Sequence, residues 1–225
     1  MDLITTEETL VERSQSTCFK HLIPIITAAT LLIASLFVLL TPSPVSAWSS
    51  DDGAVSIHAP STSAGSVHGV AVDSSGNIYA CGYYRGNFDV DPDPDTTVLL
   101  DGAGLNQPVV SKYNTSGNLL WARLLDADVN GIVNDCAISS DEAYIAVTGD
   151  YKGTMDVDGA GSMATITSGT QWDAYVALLN ASTGAVVWVK GLGGEEVVEG
   201  LGVDFGPGNE VYVTGQMRGS VDINF

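Results

Sequence analysis

The sequence is short of basic residues and of cysteine, and each shortage argues against a class of protein. Its 225 residues include 8 Lys and Arg against 27 Asp and Glu, a formal net charge of -19. A surface this acidic repels phosphate backbones. We therefore expect no nucleic-acid partner, and a cation is a more natural partner. The 3 cysteines include no CxxC pair, so the chain has neither a disulfide scaffold nor a cysteine metal cluster.

Motifs of the common catalytic sites are also missing. The sequence has no HExxH motif, no phosphate-binding glycine loop and no Ser-His-Asp set, and its only histidines are His21, His58 and His68. Hydrophobic residues nevertheless make up 45% of the chain and charged residues only 16%. That composition is too apolar for a disordered acidic chain, so we expect a folded domain.

The N-terminal part is typical of an export signal. Residues 22–40 carry no charge and are long enough to span a bilayer as a helix, and Arg13 and Lys20 place the N-terminus in the cytoplasm. Val45 and Ala47 supply the small residues that a signal peptidase reads. Residues 1–47 are therefore predicted to be a signal peptide or an uncleaved signal anchor, in the membrane at least transiently, and residues 48–66 a Ser- and Gly-rich linker.

This segment sets the expected location. The protein is predicted to be exported, and either secreted or periplasmic, or else a single-pass membrane protein with its C-terminal part outside the cytoplasm.

A unit of about 67 residues recurs after the linker. The stretch 69–91, GVAVDSSGNIYACGYYRGNFDVD, returns in recognisable form at 135–158 and 200–224. Three glycines and two tryptophans keep the spacing, at Gly82, Gly149 and Gly215 and at Trp121 and Trp188. We therefore predict repeats over 67–131 and 132–194 and a partial one over 195–225. Cys81 and Cys136 fall at different positions of the repeat, so two small buried strand residues are favoured over one disulfide.

Each repeat reads as antiparallel β-structure. Runs rich in Val, Ile and Tyr at 69–73, 78–84, 109–113 and 118–124 are separated by turns of Ser, Gly and Asn, and 92–107 is taken as an acidic loop with a variable connection. No window of residues 67–225 has helical periodicity with caps. A four-stranded sheet cannot bury both faces alone, and stacking about an axis solves this.

The predicted fold is therefore all-β, an incomplete β-propeller of antiparallel four-stranded blades preceded by one N-terminal apolar helix. Trp121 and Trp188, with Gly82, Gly149 and Gly215, are the predicted blade-packing residues.

The motif GVAVDSSGNIYACGYYRGNFDVDP followed by SKYNTSGNLLWAR resembles the bacterial β-propeller repeat called the SBBP repeat. The resemblance implies an exported scaffold and transfers no catalytic residues. Residues 180–188, NASTGAVVW, are similar to the tryptophan-docking element of quinoprotein propellers, but no quinone-site residues carry over onto this chain.

The carboxylates Asp89, Asp91, Asp93 and Asp95 are the candidate metal ligands. They alternate along one loop, and oxygen ligands so placed suit Ca²⁺, the one cofactor that the sequence suggests. The alternative is a solvated acidic turn in which Asp side chains cap backbone amides. His68, Asp135 and Glu199 precede the first strand of each repeat and either line an axial pocket or lie in water.

The leading functional hypothesis is a non-catalytic binding or adhesion scaffold for a protein or glycan at the cell envelope or surface. The alternatives are a metal- or quinone-dependent propeller enzyme and a truncated fragment of a larger repeat protein. Self-association through the incomplete propeller is also consistent with the pattern.

Overall fold

The computed structural model describes residues 64–158 and 164–222, which form antiparallel β-sheets. The prediction of an all-β fold is confirmed for these residues. They contain no helix, and accordingly none that is long and apolar enough to cross a membrane. The predicted apolar helix at 22–40, the cleavage site after Ala47 and the linker up to residue 63 lie outside the described residues.

The first sheet contains four consecutive strands, each hydrogen-bonded to the one before it. They are β1 (Ala64–Val72), β2 (Ile78–Asp89), β3 (Leu99–Tyr113) and β4 (Leu119–Leu124). The turns that follow β1 and β3 are closed by Asp73 and Asn114, whose side-chain oxygens accept hydrogen bonds from amides two and four residues further on. Gly76 and Gly117 stand in these turns with φ of 79° and 82°, a conformation that glycine adopts at little cost.

The hairpin of β2 and β3 is longer than the sequence predicts. The connection assigned to residues 92–107 is strand from Leu99 onward, and Leu100 pairs with Phe88. Phe88 and Val90 are 3% and 0% exposed, so the FDVD stretch alternates apolar residues inward and acids outward. These two side chains, with Tyr84 and Val109, form a small core of their own, which explains why the hairpin continues.

The second sheet repeats this order of neighbours. Its strands are β6 (Asn130–Ile138), β7 (Tyr144–Lys152), β10 (Asp173–Asn180), β11 (Val186–Gly194) and, paired with the end of β11, β14 (Val221–Asp222). A small sheet lies beside it, made of β5 (Asp126–Ala127), β8 (Thr154–Asp156) and β9 (Thr165–Thr167). A C-terminal hairpin is made of β12 (Val198–Phe205) and β13 (Val211–Met217).

Three hairpins carry the same irregularity in their first strand. The register slips between Val67 and Gly69, between Val133 and Asp135, and between Gly200 and Gly202. Opposite each slip stands one of the three recurring glycines, Gly82, Gly149 and Gly215. A Cβ at any of them would collide with a main-chain carbonyl oxygen of the paired strand, that of Ser66, Ile132 or Glu199. The close approach of two backbones at a bulge therefore requires glycine at these positions.

The sheets lie face to face and share their cores. Strand β6 packs against β1, β2 and β3, and β12 packs against β6, β7 and β10. The largest cluster joins the first two sheets and includes Tyr79, Val110, Ile145, Tyr175 and Leu179. A second cluster, built on Ala146, Leu178 and Val203, joins the second sheet to the C-terminal hairpin.

Cys81 and Cys136 form a disulfide, which corrects the expectation of two unpaired buried residues. Cys81 lies on β2 and Cys136 on β6, with their Cα atoms 6.4 Å apart. Their different positions in the repeat allow the bond, because Cys81 lies on the face of the first sheet that meets the second sheet, and Cys136 lies on the opposing face of the second sheet. The disulfide thus joins two sheets across their common core.

We expect the disulfide to contribute strongly to stability. It closes a loop of 55 residues, and the loss of chain entropy in the unfolded state predicts about 4 kcal/mol for a loop of that length. The double variant Cys81→Ser, Cys136→Ser should therefore lower the unfolding free energy by about 3–4 kcal/mol in urea titrations. Dithiothreitol should destabilise the wild type by a similar amount and leave the double variant unchanged. Equal stability of the two proteins under oxidising conditions would contradict this role.

Candidate functional site

The acidic loop after β2 is held together by its own carboxylates. Asp89, Asp91 and Asp93 each accept a hydrogen bond from the amide two residues further on, at 3.1, 3.1 and 2.9 Å. The hydroxyl of Thr96 donates to the second oxygen of Asp91 at 2.6 Å, and the amide of Val98 donates to Asp89 at 2.9 Å. These carboxylates therefore stabilise a series of turns whose outer end, at Asp93 and Asp95, is exposed.

The candidate metal ligands do not converge. Within residues 64–158 and 164–222, no group of three or more His, Cys, Asp or Glu side chains could hold a metal ion. Only Asp89 lies on a strand, at the end of β2, and Asp91, Asp93 and Asp95 follow one another in the loop. The bonds to amides and to Thr96 then orient them toward the loop itself.

His68, Asp135 and Glu199 have separate partners. The ring Nδ1 of His68 lies 3.0 Å from the carbonyl oxygen of Val133, the carboxylate of Asp135 accepts from the amide of Val203 at 2.9 Å, and Glu199 accepts from the side-chain amide of Gln216. The three residues have separate partners because they occupy different positions relative to the bulges of their hairpins. His68 is the extra residue of its bulge, whereas Asp135 and Glu199 pair with Thr148 and Gln216.

The contact between the first and second sheets, which we call the first interface, contains a carbonyl with three donors, that of Ala181; the contact between the second sheet and the C-terminal hairpin is the second interface. The carbonyl of Ala181 accepts hydrogen bonds from the hydroxyl of Tyr79 at 3.2 Å, the ammonium of Lys112 at 3.3 Å and the indole Nε1 of Trp121 at 3.2 Å. The three donors belong to β2, β3 and β4 of the first sheet, and the acceptor belongs to the turn after β10 in the second. We call this set the Ala181 cluster. It aligns the two sheets through one buried oxygen atom.

A buried ion pair completes the Ala181 cluster. Lys112 lies 3.3 Å from a carboxylate oxygen of Asp73 and 4.7 Å from the centre of the Tyr79 ring. Burial by itself would raise the pKa of Asp73, but hydrogen bonds from Asn77 and Lys112 and the charge of Lys112 outweigh it and hold that pKa below its usual value. Both groups are therefore charged at neutral pH. Sequence reasoning missed this cluster, although a lysine inside the apolar run VVSKY was a signal for it.

Trp121 and Trp188 both lie on the face that meets the following sheet. Trp121 packs edge to face against Tyr79 at 6.0 Å and covers the turn that contains Gly184. Trp188 packs against the cluster of Ala146, Leu178 and Val203. Trp121 is thus covered by the turn between β10 and β11 of the next sheet, whereas Trp188 is partly covered by the C-terminal hairpin.

A cleft of about 720 Å³ opens beside Trp188. Its position in the second sheet corresponds to that of the Ala181 cluster in the first. In the second sheet, Trp188 pairs with Leu178, and Leu178 pairs with Ala146. In the first sheet, Trp121 pairs with Lys112, and Lys112 pairs with Tyr79. Tyr79 and Lys112 of the first sheet are thus replaced by the apolar residues Ala146 and Leu178 in the second. The cleft lies between β10 and β11 on one side and the C-terminal hairpin on the other, and it is lined by Val176, Leu178, Trp188, Lys190, Leu192, Asn209, Val211 and Val213. We call it the Trp188 cleft.

A buried carboxylate ties the C-terminal hairpin to the second sheet. Asp150 accepts hydrogen bonds from the amide of Gly200 at 2.9 Å and from the side-chain amide of Asn134 at 3.0 Å, while Asn134 also donates to the carbonyl of Gly200. Burial raises the pKa of Asp150 to about 6, against these two hydrogen bonds and with a smaller contribution from the nearby charge of Glu199. Asp150 therefore changes its charge between pH 5 and 7.

Comparison with known proteins leaves the chain without an assigned family. No family model matches it, and no curated protein matches it. The resemblance to SBBP repeats therefore stays a prediction.

We expect Lys112→Met to weaken the fold severely. The substitution leaves the carboxylate of Asp73 buried without its cation, and breaking a buried pair in this way costs about 3–5 kcal/mol. Chemical denaturation should show a loss of that size, and adding Asp73→Asn should restore part of it. Lys190→Met, which removes an exposed lysine, serves as the control and should change stability by less than about 0.5 kcal/mol. A loss below about 1 kcal/mol for Lys112→Met would contradict the account of the Ala181 cluster.

Asp150 should make the protein less stable as the pH rises. Because its pKa is raised in the folded state from 3.8 to about 6, the folded protein binds the proton more tightly than the unfolded chain. The resulting penalty is absent below about pH 4, grows between pH 4 and 6 and is complete above pH 6, where it reaches about 2–3 kcal/mol. Comparing the wild type with Asp150→Asn in denaturant melts from pH 4 to 7.5 measures it.

The variant Asp150→Asn should lack this part of the pH dependence, so its stability relative to the wild type should improve as the pH rises. Asp204→Asn, at an exposed position of β12, should retain the wild-type profile. If the difference in unfolding free energy between the wild type and Asp150→Asn did not change with pH, Asp150 would be ionised over the whole range from pH 4 to 7.5.

Proposed function

We propose that this protein is an exported, non-catalytic scaffold of the β-propeller type, built from SBBP-like repeats, which binds a protein or glycan at the cell envelope or surface. The observation that carries the proposal is the face-to-face stacking of successive antiparallel sheets at two interfaces. At both, the first strand of the following unit packs on the preceding sheet, through β6 in one case and β12 in the other. The presence of two interfaces of the same kind supports a regular array of stacked sheets.

The bulges support the same reading. Each of the three hairpins slips by one residue at the corresponding place, opposite Gly82, Gly149 or Gly215. A shared irregularity of this kind argues for one structural unit used three times, since bulges are conserved features of a fold.

The disulfide supports export. Disulfides such as Cys81–Cys136 form and persist in oxidising compartments and are rare in the reducing cytosol. The bond joins the cores of two sheets, so a cytosolic protein would lose a large stabilising contribution. This agrees with the apolar segment at 22–40 as an export signal.

The Trp188 cleft and its surroundings suit a macromolecular ligand. The partly buried indole lies beside Lys190 and Asn209, so apolar contact and hydrogen bonding are available within one cleft. Clefts lined by apolar side chains with a few polar groups are common ligand sites.

The full chain, expressed with its N-terminal segment, tests both parts of the proposal. Thiol alkylation followed by a gel-shift assay should show Cys81 and Cys136 fully oxidised in the exported protein, and protease added outside the cells should reach it. Purified protein should then bind one class within a panel of envelope polysaccharides and envelope proteins saturably, without turnover. A chain that stays in the cytoplasm with both thiols free would overturn export.

Turnover would overturn the non-catalytic reading. Sugar and alcohol substrates are offered together with an artificial quinone acceptor and Ca²⁺. Substrate-dependent reduction that the double variant Asp89→Ala, Asp91→Ala abolishes would identify an enzyme instead.

A further inference from the structure

A buried glutamine holds the chain where it leaves the first sheet. Gln107 of β3 is 2% exposed. Its side-chain amide donates to the carbonyl of Ala127 at 2.6 Å, and its side-chain carbonyl accepts from the amide of Ala127 at 2.8 Å. Ala127 lies in β5 and pairs with Met155 of β8, the short strand that follows the β6–β7 hairpin. Gln107 thus binds both main-chain groups of the residue that makes this junction.

An aspartate occupies the same position in the second sheet. Asp173 of β10 pairs with Tyr151, as Gln107 pairs with Tyr84. Asp173 is also buried, with 4% of its surface exposed. The two sheets therefore place a short polar side chain at one equivalent, buried point.

The main-chain partner of Asp173 is the counterpart of Ala127. This partner is Gly194, at the end of β11, whose amide donates to the carboxylate of Asp173. Gly194 pairs with Val221 of β14, the short strand that follows the β12–β13 hairpin. Ala127 and Met155 pair in the same way one repeat earlier. The same junction is therefore built twice, with a glutamine in one and an aspartate in the other.

The two side chains differ in what they can donate. Oδ2 of Asp173 accepts from the amide of Gly169 at 3.0 Å. Oδ1 is buried and has no hydrogen-bond partner among the residues that the structure describes, and the carbonyl oxygen of Gly194 lies beside Gly169. Buried polar atoms are nearly always hydrogen-bonded, and an ionised carboxylate is an acceptor only. A protonated carboxyl, by contrast, has one hydrogen to donate.

We propose that Oδ1 of Asp173 carries a proton at mildly acidic pH and donates a hydrogen bond to the carbonyl of Gly194, as the side-chain amide of Gln107 donates to Ala127. When this proton dissociates to solvent, a buried carboxylate faces that carbonyl, and the pairing of Gly194 with Val221 weakens. The junction is thus a pH-sensitive device that closes as the pH falls. The inference rests on the correspondence of the two sheets and does not require the proposed function.

The surroundings of Asp173 favour its neutral form. Burial raises the pKa of Asp173, although two backbone amides donate to the carboxylate and lower it. The titratable residues at this level of the neighbouring strands are Tyr151 of β7, kept neutral because burial raises its pKa, and Asp222 of β14. Neither supplies a positive charge, and the preceding loop, residues 168–172, has no charged residue. The folded state therefore binds the proton more tightly, and this contribution to stability is lost as the pH rises.

Infrared difference spectroscopy detects the proton directly. The background is Asp150→Asn, which removes another buried carboxyl with a raised pKa. Above about pH 5, where exposed carboxyls are ionised, this protein should show the carbonyl stretch of one neutral carboxylic acid and lose it as the pH rises. The double variant Asp150→Asn, Asp173→Asn should lack the band. Asparagine has the same size as aspartate and donates the same hydrogen bond at every pH.

Amide hydrogen exchange locates the effect. In the Asp150→Asn background, the protection factors of β14 should fall at least about fivefold as Asp173 ionises. Those of β8, whose junction is held by Gln107, should stay constant and serve as the internal control. Adding Asp173→Asn should remove the change at β14. Gln107→Glu, which places a carboxyl of the same length beside Ala127, should transfer the pH dependence to β8.

Three results would overturn the proposal. One is the absence of the neutral-acid band from an Asp150→Asn protein whose near-ultraviolet circular dichroism shows intact tertiary structure, since Asp173 would then be ionised. Another is a band that appears only after EDTA is added, which would mean that a metal ion takes the place of the proton. The third is equal pH dependence of exchange in β14 and β8, which would indicate a general loosening of the sheets. None of them bears on export or on the envelope ligand.

Discussion

The second sheet of this protein has apolar residues buried on both faces, and the rest of the structure depends on covering them. Strand β10 shows the constraint most directly, since Tyr175, Ala177 and Leu179 enter the core shared with the first sheet and Leu178 enters the cluster shared with the C-terminal hairpin. A strand buried on both sides cannot be stable in an isolated sheet, because half of its apolar area would remain in water. Stacking is therefore a condition of folding here, and the interfaces carry the cohesion of the molecule.

The two interfaces meet this condition by different chemistry. The first is closed by a covalent bond and by a buried oxygen that three donors share, so its geometry is narrowly defined. The second is held by two carboxylates of the second sheet, Asp135 and Asp150, which accept from amides of β12. Beyond these bonds it opens into the Trp188 cleft. One interface is thus closed by specific bonds, while the other contains an open apolar cleft.

Prediction from the sequence succeeded where the signal was local. Hairpin turns were located from Gly, Asn and Asp, and the all-β class followed from the Val-, Ile- and Tyr-rich runs between them and from the lack of helical periodicity. The assignment of 92–107 to loop and connection failed in its second half because the apolar partners of Phe88 and Val90 lie across the hairpin, on a strand with few β-branched residues. The disulfide and the Ala181 cluster were out of reach for a related reason. Their partners are 55 and up to 102 residues apart and meet only when the sheets stack.

The sequence by itself determined the strand-and-turn pattern, the recurrence of three glycines at one spacing, and the acidic character of the surface, because each is contained in short stretches of residues. Only the tertiary structure decided which cysteines bond, which way the carboxylates of the acidic loop turn, and that Trp121 is covered while a cleft opens beside Trp188. Such outcomes depend on which face of one sheet meets which face of the next. That choice is made by long-range packing, and no short stretch of sequence encodes it.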